Sequence, residues 1–272
     1  MKFFSAIYVL LLAFEAGTLG LAAQESHVPA AQLVTDSLHN EMAAHADGDH
    51  LAYTSFEQSA RTGHHLWEEK VVKTEQGVLR RLISVDGRPL SAEIVKAENE
   101  RIARLLSHPE EFHQANSDRD SDEKSRQRVI NAMGSAFLFT YDGVAKGCTR
   151  IRFTGNPAFK PSSYQERVLR FLEGTLYVNE SQKRFCGMDG VLSQRVEIGF
   201  GILGSLEKGG RVHVIRVQTA SGAWENSVVQ LHLVGRMLVV RSISQDIDQK
   251  RTNMRDIPPH LTLAQAAEFI KP

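Results

Sequence analysis

Apolar positions change their spacing several times along the chain, and each change marks a boundary. Between residues 30 and 46, Leu33, Val34, Leu38 and Met42 recur at helical spacing, which predicts an amphipathic helix. From His50 to Arg61, His64 to Lys73 and Val78 to Val85 the pattern becomes strand-like, with Gln76-Gly77 and Asp86-Gly87 as punctuation. Ser91 can cap a second helix with Glu93 in its first turn, and Ile94, Ala97, Ile102 and Leu105 give it an apolar stripe. His108 to Arg128 is highly charged and nearly free of large apolar residues. We read 109–128 as an exposed charged loop, a candidate flap, that turns helical again near Ser121 and buries Val129, Ile130 and Met133.

Strands dominate from Ala136 onward. Phe137, Phe139 and Tyr141 alternate with Leu138 and Thr140, and Ile151 and Phe153 with Arg150 and Arg152. Pro157 and Pro161 forbid a continuing central strand. Ser163 and Glu166 form a capping box ahead of Val168, Leu169 and Leu172, with Gly174 placed to stop that helix. Strands follow at 175–179, 183–188, 192–200, 211–218, 226–233 and 237–244. Thr262 and Gln265 form a second capping box before a short C-terminal helix ending at Ile270.

Strands with one apolar and one polar face pair antiparallel, with one face wet. The predicted fold class is therefore α+β. About nine strands form one large curved antiparallel sheet, which must curl or close on itself, covered by several short helices. Its concave side would be lined by Phe137, Phe139, Ile198, Phe200, Leu231 and Leu233. Trp67 and Trp224 are rim anchors for an apolar ligand, or else half-buried packing at a sheet end.

Charge changes the picture only by exclusion. A net charge of zero rules out a strongly basic nucleic-acid binder, so no nucleic-acid partner is expected. Acidic residues concentrate in the first half and basic ones in the second, which favours packing of the halves on each other. The N-terminus carries more information. Lys2, the apolar run Phe3 to Phe14 and the small residues around Ala22 read as an export signal, residues 1–23, cleaved near Ala22–Gln24. Residues 24–272 are then a single half-barrel domain in the periplasm or outside the cell. Cys148 and Cys186, both beside predicted strands, permit one disulfide in such a compartment; the alternative is two buried thiols.

Catalytic motifs are scarce. Gly199 to Gly204 matches G-x-G-x-x-G, but Gly209-Gly210 follows too soon for the helix that a dinucleotide needs, so these glycines read as a bulged strand end and turn. His64-His65-Leu66-Trp67-Glu68-Glu69 gathers metal-competent groups. As a strand it offers two ligands per face, one short of a catalytic zinc, so no metal site is assigned. G-x-S-x-G, H-E-x-x-H and P-loop patterns are absent from the sequence, no cofactor is implied and no catalytic residue is named.

The order of elements resembles bacterial periplasmic lipoprotein carriers of the outer-membrane lipoprotein-sorting (LolA-like) superfamily, in an uncharacterised branch. The residues that carry the resemblance are Gly174-Thr-Leu-Tyr-Val-Asn179 followed by Lys183-Arg184 and Met188-Asp189-Gly190, with Phe200 to Gly210 and Gly222-Ala-Trp224. The resemblance implies an unclosed half-barrel with helices across its mouth, an acyl-chain cavity and no catalytic residue. The expected function is a non-enzymatic exported protein holding a lipid, an acyl chain or a lipidated protein. A cell-envelope sensor that binds a membrane-protein partner is the second reading, and a hydrolase without a recognised motif the third.

Overall fold

The computed structural model of the chain describes residues 28–46, 50–198, 204–237 and 241–272. The expected export signal, Phe200 and most of the glycine-rich stretch at 199–204 lie outside them. Helix α1 (Ala30–Ala46) leads into strands β1 (Leu51–Ser59), β2 (Trp67–Thr74), β3 (Gly77–Val85) and β4 (Arg88–Pro89). Helices α2 (Ala92–Ser107) and α3 (Pro109–Ala136) follow, then β5 (Phe137–Ala145), β6 (Cys148–Gly155) and helix α4 (Tyr164–Leu169). The remaining strands are β7 (Leu172–Asn179), β8 (Arg184–Leu192), β9 (Val196–Ile198), β10 (Gly204–Leu206), β11 (Arg211–Gln218), β12 (Trp224–Met237) and β13 (Arg241–Asp256), before helix α5 (Leu263–Glu268).

Among the described residues these strands form one 13-stranded antiparallel sheet in the order β4-β3-β2-β1-β13-β12-β11-β8-β7-β6-β5, with β10 and β9 continuing from the far end of β12. The two edges, β4 and β5, do not pair with each other, so the sheet is open. It has more strands than the nine expected; β4 and β10 are too short to leave a periodic signature, whereas β9 falls within the expected strand 192–200. Among the described residues no helix is long and apolar enough to cross a membrane.

Three local expectations are corrected. The charged stretch 109–128 is not a loop but part of the 28-residue helix α3, about 42 Å long. Pro109 opens it, Glu110 and Glu111 complement its N-terminal dipole, and no further proline or glycine occurs before Gly134. Among its described side chains, Phe112 packs in one cluster and Ile130, Met133 and Ala136 in another. Gly174 does not end a helix, because α4 stops at Leu169 and Gly174 lies inside β7. There a Cβ would come within 1.9 Å of the Asp189 carbonyl oxygen, so the pairing of β7 with β8 requires glycine. Finally, β2 begins at Trp67, and His64 occupies a turn at φ 61° rather than a strand.

Cross-strand partners share a face of a sheet. One row therefore runs Tyr141, Ile151, Leu176, Met188, Val214, Val229, Gln249, Glu57 across β5, β6, β7, β8, β11, β12, β13 and β1. We call this face the front. At the β5–β8 end it is covered by α1, α4 and the end of α3, which bury Leu33, Val34, Ile151, Phe153, Leu176 and Val178. At the opposite end, Ala52, Val72 and Leu79 alternate with front residues and so face the back, where Ile102, Phe112, Leu263 and Ile270 close over them from α2, α3 and α5. Helix α3 thus joins a front cluster to a back cluster. It passes the β2–β3 hairpin, where Asn116 Oδ1 accepts from the Val78 amide and where a Cβ on Gly77 would strike the Asn116 side chain at 2.7 Å.

Candidate functional site

Covering the two ends on opposite faces leaves the middle of the front face without a described helix. There Val212 and Val214 of β11, Val229, Leu231 and Leu233 of β12, and Ile247 of β13 form an apolar strip. All six are half-buried, in contrast to the fully buried front residues under α1. Beside the strip, α1 is fixed by Glu41. Its carboxylate accepts from Arg184 Nε at 3.0 Å and from the Phe185 amide at 3.1 Å, and lies 2.5 Å from Arg216 Nη1. Burial pushes this carboxyl up, but the two guanidinium partners outweigh that and hold it below the ordinary carboxylate range.

Across β13 the front face turns polar. Glu57 and Glu69 are nearly buried, and Arg61 reaches over both. It donates to Glu57 at 3.0 and 2.8 Å and to Glu69 at 3.0 and 2.7 Å. Ser59 and Gln249 donate to Glu57, and Arg80 to Glu69. Burial opposes ionisation of Glu57, yet these partners lower its pKa to about 2. The cluster is therefore a saturated ionic seam bordering the strip.

The back face over the same strands is different. Thr175, Asp189, His213, Gln230 and Asp248 form one cross-strand row, and Arg211, His232 and Asp246 the next. A depression of about 600 Å³ lies there, with Asp189, His213, Gln230 and His232 among its lining residues. Tyr177 Oη donates to Asp189 Oδ2 at 2.9 Å, and His213 Nδ1 lies 2.5 Å from Asp189 Oδ1. In a neutral imidazole, a carboxylate at Nδ1 favours the proton there and leaves Nε2 as an acceptor. Burial and the Asp189 carboxylate raise the Tyr177 pKa. His232 stands 3.4 Å from Asp246 and 3.5 Å from Asp248. Among the described residues no group of three or more His, Cys, Asp or Glu is arranged to hold a metal ion.

The residues singled out in the sequence divide accordingly. Leu231 and Leu233 lie on the strip. Phe137 and Phe139 share its face but belong to the helix-covered core, where Phe137 packs edge-on against Phe139 and Phe153. Ile198 belongs to β9, beside β10. Trp67 stands at the ionic seam with the Arg61 guanidinium 5.4 Å from its ring, and Trp224 stands at the start of β12, donating to Gln182. Glu68 and Glu69 point to opposite faces, Glu68 accepting from Ser84 on the back, while His65 pairs with Asp86. Cys148 and Cys186 form a disulfide that joins β6 to β8 across β7. Sequence reading missed the Tyr177–Asp189–His213 cluster. Each of these residues alternates correctly on its own strand, but nothing local says that β8 lies beside β11. No protein-family model matches the chain, and a search of curated proteins finds no match to it.

Proposed function

We propose that this protein binds an apolar ligand, a lipid, acyl chain or lipidated protein, on the front strip, and that it works as an exported, carrier-like protein of the periplasm. The observation that carries this reading is the half-buried apolar strip on β11–β13 between two helix-covered regions. A bound acyl chain would gain about 0.8 kcal/mol per buried CH₂. The Cys148–Cys186 disulfide is compatible with an oxidising compartment, as are the expected signal and the resemblance to lipoprotein carriers. Mass spectrometry of organic extracts of the purified protein tests it. A copurified lipid that is lost in a folded Leu231→Asp variant supports carriage. Repeatedly empty wild-type protein, or undiminished lipid in that variant, refutes it. Capture of an envelope protein by lipid-free chain would favour the sensor reading instead.

The back depression supports a second reading, hydrolysis. Asp189 orients His213 so that its Nε2 can take a proton from water. Ester turnover abolished by His213→Ala would support it, and turnover unchanged by that substitution would remove it.

A further inference from the structure

The back face of the central strands carries two unlike lines of side chains, one beside the other. The polar line is the row Thr175, Asp189, His213, Gln230 and Asp248. Two residues along each strand, and so on the same face, a second line runs Tyr177, Gly187, Ile215, Val228, Lys250 and Phe56, ending on β1. This line is largely apolar and open to solvent: Ile215 is 38% exposed, and Tyr177, Val228 and Phe56 are half-buried. No residue of either line belongs to the clusters packed under the helices. Two depressions follow the lines. One is the depression of about 600 Å³, and the other, of about 460 Å³, is lined by Phe56, Leu66, Val228 and Lys250; Gln230 lines both.

The polar line is held in place yet keeps free hydrogen-bonding capacity. Asp189 is bound by Tyr177 and His213, and Gln230 Nε2 donates to Asp248 Oδ1 at 2.9 Å. Among the described residues, the Glu173, Thr175 and Arg211 side chains that line the larger depression make no hydrogen bond or ion pair. Donors and acceptors are therefore mixed. So are the charges, because Arg211 and Lys250 stand against Glu173, Asp189 and Asp248.

We propose that this face binds an oligosaccharide ribbon with equatorial linkages, of the cellulose or chitin type. Its pyranose rings lie with their C–H faces on the line from Tyr177 to Phe56, and its hydroxyl edge runs along Thr175, His213 and Gln230. A sugar hydroxyl both donates and accepts, so it matches a mixed set of fixed polar groups, while the C–H face of the ring matches apolar side chains. An acyl chain would strip water from the polar line and give it no partners. A polyanion needs an excess of cations, which this face lacks. The line crosses five strand spacings, roughly 24 Å, long enough for several linked rings. Equatorial linkages keep such a chain straight, as the line is. The proposal requires no bond cleavage and is independent of both readings above.

The test is calorimetric titration of the full chain with cellohexaose, N-acetylchitohexaose, maltohexaose and hexagalacturonate at neutral pH. One or both equatorially linked hexaoses should bind at least about tenfold tighter than the coiled maltohexaose and the anionic hexagalacturonate, the tighter one identifying the ring substituent. Phe56→Ala should weaken that binding about tenfold, and Thr175→Val, which keeps the shape and removes one hydroxyl, by several-fold. Circular dichroism confirms that each variant is folded, and the nearly isosteric valine keeps the test open where the alanine does not fold. Failure of both equatorially linked hexaoses to bind overturns the proposal. So does equal affinity for maltohexaose or hexagalacturonate, or affinity undiminished in either folded variant.

Discussion

Replacing Arg61 by alanine would leave two nearly buried carboxylates facing each other. The side chains of Glu57 and Glu69 are 9% and 5% exposed, and Arg61 gives each a two-point contact. Breaking a buried ion pair by removing one partner costs about 3–5 kcal/mol, a large part of the 5–15 kcal/mol that holds a typical domain folded. A second figure comes from Glu57. A pKa lowered from 4.5 to about 2 corresponds to about 3 kcal/mol of native-state stabilisation. Because the folded value is depressed, that stability is fully present above pH 4.5 and is lost as the pH falls toward 2. In Arg61→Ala, burial acts with less opposition and pushes the Glu57 carboxyl up, so the variant no longer shares this acid loss. Urea unfolding followed by tryptophan fluorescence, at pH 7, 5, 4 and 3, measures both effects. The variant should be about 3–5 kcal/mol less stable at pH 7, and the difference should shrink steadily below pH 4.5. A difference under about 1 kcal/mol at pH 7, in the range of an exposed pair, would refute the claim that Arg61 neutralises a buried site. So would a difference that does not change with pH.

Reducing the Cys148–Cys186 bridge, which closes a separation of 38 residues, should lower stability by about 4 kcal/mol, read as a drop in melting temperature on adding reductant. Gly174→Ala should force β7 from β8 and cost about 3 kcal/mol or more, visible in chemical denaturation or in loss of soluble protein. Glu41→Gln should weaken the docking of α1 by about 1–3 kcal/mol, seen as faster hydrogen exchange of α1 amides while the β1–β3 region is unaffected. In the wild type the same loosening should develop as the pH falls below the ordinary carboxylate range, since Glu41 is held ionised by Arg184 and Arg216.

Much of this architecture was legible residue by residue. The stripe Leu33, Val34, Leu38 predicts α1 because those positions do pack on β5–β8. Ser163 and Thr262 predict helix starts because a side-chain oxygen there accepts an amide that the helix cannot satisfy, as both do. Alternation placed Leu231 and Leu233 on one face with Phe137 and Phe139. The failures also have physical causes. Helix α3 was hidden because its sequence from His108 to Arg128 is highly charged and has little apolar period to detect. Gly174 was misread because a glycine that ends a helix and a glycine that admits a neighbouring backbone look alike in one dimension. Arg61 belonged to a predicted strand end, and only folding turns it over Glu57 and Glu69.

The sequence by itself determined where the chain extends or coils and which side chains lie on the same side of each strand, because those are properties of neighbours a few bonds apart. The tertiary structure decided that β8 pairs with β11 and β1 with β13, and that helices cover opposite faces at the two ends of the sheet. Those choices depend on contacts between residues far apart in the chain, whose joint burial no local pattern encodes. They leave the apolar strip open and set His213 beside Asp189.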